Sequence, residues 1–146
     1  MKKVLVLVST IALVACFGGV LFARGFGRQY YGGWTYYPER TYYYRSYYYQ
    51  PYDGADYSYH YCIYYPSTPR YVYYYNPYSG YYWGRLDLEA KGDKKYSLLA
   101  EKDRKANLKD IDEKAFPEPA EMPPIPESKD KVPMKPIDPT DLPKTK

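Results

Sequence analysis

The chain has 146 residues with 21 Lys and Arg against 17 Asp and Glu, a single histidine, two cysteines and 24 tyrosines. That length bounds it to one small domain at most. Its formal net charge of +4 gives no basic face for nucleic acid, and no catalytic constellation, Gly-x-Ser-x-Gly elbow, P-loop or dinucleotide fingerprint accompanies its lone His60.

The chain opens on Met1-Lys2-Lys3 and an apolar run from Val4 to Ala23, broken by Ser9 and Thr10. A basic start before such a run reads as an export signal over residues 1–23, helical where it inserts. Three fates stay open. Cleavage after Ala23 leaves a soluble chain. Leu13-Val14-Ala15-Cys16 matches a bacterial lipobox, which would make Cys16 a lipidated N-terminus. An uncut run of about 20 residues is also long enough to anchor in a bilayer. Any contact with a membrane runs through this segment, and the protein is expected in the periplasm, on the cell surface or outside the cell.

Residues 24–55 are a low-complexity arm rich in Tyr, Arg and Gly, with Tyr42-Tyr43-Tyr44-Arg45 and Tyr47-Tyr48-Tyr49-Gln50 as its densest units. It has no fixed period, so no solenoid is implied. Val, Ile and Leu are missing from it, and rings alone fill a core poorly. The expectation is a disordered or loosely extended arm.

From Asp56 the pattern changes. Tyr57, Tyr59, Tyr61 and Ile63 alternate with Ser58, His60, Cys62 and Tyr64, the period-2 signature of a strand. Pro66 and Pro69 end it. A second strand begins at Arg70, and Asn76-Pro77-Tyr78-Ser79-Gly80 supplies a turn into a return strand from Tyr81 to about Leu88. Lys95 to Leu99 adds a further strand or, with Ser97 as N-cap, opens a helix toward Ala106. Residues 56–100 therefore read as a small antiparallel β-meander of three or four strands. Residues 101–116 form a charged linker with a helical turn near Asp112 to Ala115. Residues 117–146 hold nine prolines and read as a solvated, disordered tail. The fold class expected is mostly disordered and low-complexity, around one small meander.

Charge is segregated by type. Residues 24–85 hold six Arg, no Lys and three acids, whereas residues 86–146 hold 12 Lys, one Arg and 14 acids. Most of those acids lie where nothing would hold a pair at working distance, and the chain is not expected to be an enzyme.

Two residues invite metal or thiol chemistry. His60 and Cys62 share one face of their strand, as two ligands of a soft metal would. A zinc or copper site wants three or four ligands, and cleavage after Ala23 leaves no further His or Cys. No metal and no cofactor is expected. Cys62 is a possible thiol site for pairing between chains, and its plainer role is that of a small buried hydrophobe.

The tyrosines carry the distinctive chemistry: an apolar ring, a π face and a hydroxyl. Beside Arg40, Arg45, Arg70 and Arg85 they form cation–π contacts worth about 0.5–1 kcal/mol each when exposed. Many such contacts suit self-association or adhesion to an envelope polymer. The alternative is a small glycan- or peptide-binding module with an aromatic platform around Trp83, using Tyr74, Tyr81 and Tyr82.

Tyr74 to Trp83 resembles the hairpins of WW and OCRE domains in turn chemistry. Trp83 arrives one residue early for the first, and the second comes in tandem where this chain has one copy. No binding residue carries over. A longer resemblance covers residues 59–143: "YHYCIYYP", "YVYYYNPYSGYYWGR", "YSLLAEKDRK", "AFPEPAEMPPIPES" and "DLP", in this order, resemble a family of small exported tyrosine-rich proteins of planctomycete bacteria. It implies a bacterial source and export, and no mechanism. The function expected is that of an exported, non-enzymatic structural or interaction protein of the cell envelope, acting through multivalent tyrosine and arginine contacts.

Overall fold

A computed structural model describes residues 27–144. The export signal read over residues 1–23, with Cys16, lies outside the described residues. Seven antiparallel strands form one sheet: β1 (Gln29–Tyr31), β2 (Thr35–Tyr37), β3 (Tyr42–Tyr49), β4 (Ser58–Tyr64), β5 (Tyr71–Asn76), β6 (Tyr81–Asp87) and β7 (Tyr96–Leu98). They lie in the order β1-β3-β4-β5-β6-β7, with β2 also beside β3. Among the described residues no helix is long and apolar enough to cross a membrane.

The meander from β4 to β7 follows the sequence pattern closely. Asn76 Oδ1 accepts from the Tyr78 N–H at 2.9 Å, and Gly80 closes the turn at φ +75° with its N–H 2.8 Å from the Asn76 carbonyl. That conformation suits glycine, which has no Cβ to clash. Ser97 lies within β7, its Oγ donating to the Pro117 carbonyl at 2.8 Å, so it caps no helix. The expected turn near Asp112 is a 3₁₀ turn over Glu113–Ala115, with the Asp112 side chain accepting from the Lys114 N–H.

The arm expected over residues 24–55 is instead part of the sheet. β3 is its longest strand and pairs with β4 from Tyr43↔Tyr64 to Tyr49↔Ser58. β1 and β2 are two halves of one edge. Tyr31 faces Tyr47 and Thr35 faces Tyr44, so Gly32, Gly33 and Trp34 bulge against two residues of β3. The objection that rings alone pack poorly is met from far along the chain. Tyr47, Tyr49 and Tyr74 are fully buried in one cluster with Ile125, Met134 and Ile137. The aliphatic filler that the arm lacks comes from the proline-rich tail.

That tail, expected to be solvated, crosses the sheet. Proline removes donors, yet an extended chain can still spend the N–H groups it keeps. Ala120 exchanges backbone bonds with Tyr96, Ile125 N–H reaches the Val132 carbonyl at 2.8 Å, and Met134 N–H reaches the Pro123 carbonyl at 2.8 Å. Buried Gln29 grips it from the edge strand, donating to the Pro133 carbonyl at 3.0 Å and accepting from the Lys135 N–H at 2.8 Å. Burying a large apolar side chain contributes roughly 1.5–3 kcal/mol, so the tail's three buried aliphatics are major terms for a domain this small.

The sheet is thus covered on two faces by different segments. The first face carries Tyr47, Tyr49, Cys62, Tyr74, Trp83 and Tyr96, and the tail lies over it. The second carries Ile63, Tyr73 and Tyr82, packed by Leu108, Ile111 and Phe116 of the former linker. Tyr82 N–H donates to the Lys105 carbonyl at 2.9 Å, which seats that segment over β5 and β6. The part of the second face built by β1, β3 and β4 is left more open.

Candidate binding face

Alternation along β3 and β4 sends Tyr42, Tyr44, Tyr48, Tyr59 and Tyr61 to this second face, and strand pairing brings their rings together. Tyr30 of β1 stacks on Tyr48 of β3 with centroids 4.8 Å apart and planes at 19°. Tyr48 meets Tyr59 across the β3–β4 pair at 6.0 Å, and Tyr59 meets Tyr61 at 5.5 Å. From Tyr61 the contact passes to Tyr44 at 5.6 Å and then to Tyr42 at 6.5 Å. Tyr57 closes on Tyr30 at one end, and Tyr78 leans on Tyr59 from the β5–β6 turn. The result is one unbroken strip of rings running across strands.

Offset and edge-on ring pairs contribute about 0.5–1.5 kcal/mol each beyond area burial, so the strip holds its own geometry. It remains accessible: Tyr30, Tyr57 and Tyr78 are 46%, 49% and 65% exposed, and Tyr48, Tyr59 and Tyr61 are half-buried. Burial pushes the Tyr42 and Tyr61 phenols above their ordinary pKa. Both therefore stay protonated near neutral pH, as hydrogen-bond donors.

At the Tyr42 end the strip drops into a cavity of about 320 Å³ walled by Tyr37, Arg40, Tyr42, Tyr44, Tyr61 and Tyr75. A neighbouring hollow of about 510 Å³ shares Arg40 and Tyr82 with it and runs on past Asn107 and Lys109.

The residues singled out around Trp83 do not form one surface. The β5–β6 register shifts between Tyr74 and Tyr75, which face Gly84 and Tyr82. The extra residue, Trp83, turns into the first face and Tyr82 into the second, as a bulge re-aims side chains. Trp83 is 8% exposed between His60 and Tyr74, and Tyr74 is fully buried. Tyr82 is also buried, its hydroxyl 3.0 Å from that of Tyr65. Tyr81 alone of the four is exposed.

Cys62 and His60 sit beneath the tail on the first face. Burial pushes the Cys62 thiol well above its ordinary pKa, so it stays a thiol and is a poor nucleophile. Burial pushes His60 down to about 4, which keeps the imidazole neutral. Among the described residues no group of three or more His, Cys, Asp and Glu side chains could hold a metal ion.

Sequence reasoning placed Tyr57, Tyr59 and Tyr61 on one face but did not join them to Tyr30, Tyr44 and Tyr48. The same period-2 alternation carried back through Tyr42–Tyr49 would have found the partners, had the arm been read as a strand. No family model matches the chain, and neither does any curated protein or solved structure.

Proposed function

We propose that this protein is an exported, non-enzymatic interaction protein of the bacterial envelope that holds a polysaccharide on the Tyr30–Tyr48–Tyr59–Tyr61–Tyr44 strip. The observation that carries the reading is the continuity of those rings on the more open part of a rigid sheet face. The apolar faces of sugar rings stack on aromatic planes, and their hydroxyls suit phenols that both donate and accept. A platform fixed in advance loses little side-chain freedom on binding.

Adhesion through intermolecular arginine–tyrosine contacts has less support. Arg28, Arg45, Arg70 and Arg85 pair with Asp130, Asp141, Asp87 and Glu113. Arg45 and Arg85 already lie against rings of their own chain. These arginines are spent on holding the fold.

The test is co-sedimentation of purified protein with insoluble envelope and plant-type polysaccharides, beside sedimentation of the protein alone. The proposal expects retention by polysaccharide and loss of at least ten-fold in a Tyr48→Ala/Tyr59→Ala variant that, though less stable, still unfolds cooperatively and is folded under the assay conditions. Concentration-dependent self-association abolished by the same variant, without any polysaccharide binding, would assign the strip to a second copy of the chain and overturn it.

A further inference from the structure

We infer that the cavity at the Tyr42 end of the strip is a subsite for a carboxylated sugar, with the Arg40 guanidinium as the carboxylate's partner. This rests on the polysaccharide reading and narrows it to acidic polysaccharides built from uronic acids.

Arg40 differs from the other arginines of the sheet region. Arg28, Arg45, Arg70 and Arg85 each hold a carboxylate of this chain, whereas Arg40 is exposed and makes no ion pair among the described residues. The adjacent acid, Glu39, forms no ion pair with it among the described residues; its charge acts on the Tyr37 phenol, whose pKa it raises. Arg40 is also the charged side chain common to both hollows. Its guanidinium presents a planar fork of donors that matches a carboxylate in a two-bond geometry.

The surroundings suit a sugar ring rather than a bare ion. The cavity of about 320 Å³ is walled by Tyr42, Tyr44, Tyr61 and Tyr75, at the small end of the range for ligand sites. Tyr44 and Tyr61 belong to the strip as well, so a chain lying along the strip leads into the cavity. Beyond Arg40 the second hollow adds Lys109, which likewise forms no ion pair among the described residues. Two unpaired cations beside an aromatic trough are complementary to a polymer that carries one carboxylate per ring.

The loop that aims Arg40 is itself unusual. Arg40 N–H bonds the Tyr37 carbonyl and Thr41 N–H bonds the Pro38 carbonyl, each at 3.3 Å. Thr41 sits at φ +55°, a left-handed conformation that a β-branched residue rarely adopts. Such strained positions concentrate where a side chain must be held for a ligand.

The experiment is calorimetric titration of the purified protein with oligogalacturonate, its carboxyl-reduced neutral counterpart and inorganic phosphate. The inference expects the acidic oligosaccharide to bind at least ten-fold more tightly than the neutral one. Arg40→Gln should bring the affinity for the acidic chain down to that for the neutral one, and Arg40→Lys should keep part of the difference. Equal affinity for acidic and neutral chains, lost together in Tyr48→Ala/Tyr59→Ala, would overturn the inference and leave the polysaccharide reading standing. Binding of neither oligosaccharide would overturn both. Binding of phosphate in place of the oligouronide, sensitive to Arg40→Gln, would make this a phosphate site and overturn the inference as well.

Discussion

Arg45 and Asp141 stand 96 residues apart in sequence, and the guanidinium of one lies 2.8 Å from the carboxylate of the other. Arg45 is nearly buried, with its plane against the rings of Tyr31 and Trp34 at 5.1 and 4.9 Å and its Nε donating to the Gly32 carbonyl at 2.7 Å. Trp34 Nε1 donates to the Asp141 carbonyl at 2.6 Å, so the two segments are joined twice. Arg28–Asp130 and Arg85–Glu113 repeat the arrangement along the tail and the linker. In each, a nearly buried arginine of the sheet holds a more exposed acid from the second half of the chain. The segregation of Arg from acids in the sequence is therefore a set of long-range staples.

The two ends of the Arg45 staple are expected to differ in cost. Asp141 is 61% exposed while Arg45 is nearly buried; asparagine keeps an acceptor oxygen for the guanidinium, so Asp141→Asn should cost only about 1 kcal/mol. Arg45→Ala also removes two ring contacts, at about 0.5–1 kcal/mol each, and a hydrogen bond worth about 1 kcal/mol. A loss of roughly 2–3 kcal/mol is expected on those magnitudes, read from urea unfolding. Equal small losses for both would mean that the arginine contributes only its surface charge.

The tail offers a larger effect. Ile125 and Met134 are each 1% exposed, and truncating a buried aliphatic to Ala costs about 2–5 kcal/mol. Ile125→Ala and Met134→Ala should each lower stability by that order, and a chain ending at residue 116 should lose cooperative unfolding. Hydrogen exchange should show the Ile125, Met134 and Ala120 amides protected with the sheet rather than with free chain. A tail that could be deleted without effect on unfolding would contradict its place in the core.

How much of this was legible follows from where the information sits. The β4–β7 meander was readable because its strands alternate and their turns carry Pro, Asn and Gly. Which residues of β4 share a face was readable for the same reason. β3 was not, because Tyr42 to Tyr49 is nearly uniform and alternation in burial leaves no mark on a run of identical residues. Its aliphatic partners lie beyond residue 120, among prolines that read as solvated. The binding strip was lost with β3, since three of its rings come from that strand. Trp83 was readable as special but not as to its face, because a bulge shifts parity by one residue.

His60 gives the molecule a predictable acid sensitivity. It is 5% exposed and burial holds its pKa down to about 4, against the ordinary 6.5. Between those values the unfolded chain binds a proton that the folded chain refuses. Stability therefore falls as pH drops from about 6.5 toward 4, by up to about 3 kcal/mol from this group. Asp87 and Asp130, held below the usual carboxylate range by Arg70 and Arg28, add losses only at lower pH. Their contribution is full above the unfolded carboxylate pKa and fades as pH falls through the depressed folded value. Unfolding curves at pH 7 and pH 4.5 should differ for the native sequence, and His60→Phe should remove most of that difference.

Gly84 is the most tightly enclosed glycine among the described residues. It pairs with Tyr74 on β5 and with Leu98 on β7, and the bulge at Trp83 leaves it facing the Tyr96 ring. A Cβ placed there would stand 2.0 Å from Tyr96 Oη, 2.6 Å from its Cζ and 2.8 Å from the Ser97 carbonyl oxygen. The first contact is a side-chain atom that could move, but Tyr96 is 1% exposed and packed against Tyr74 and Trp83. The last is backbone of the neighbouring strand, which could move only by giving up β6–β7 pairing. Overpacking costs about 1–3 kcal/mol where neighbours can adjust, so Gly84→Ala is expected to reach or exceed about 3 kcal/mol. The Tyr96 hydroxyl has no hydrogen-bond partner among the described residues, and Tyr96→Phe alone should be neutral or slightly stabilising. Combined with Gly84→Ala it should recover only part of the loss, because the Cζ and carbonyl contacts persist. Gly33, where an added Cβ meets nothing within 4 Å, is the control: Gly33→Ala should stay within about 0.5 kcal/mol of the native sequence. A Gly84→Ala variant as stable as Gly33→Ala would show that β6 and β7 are not packed this closely.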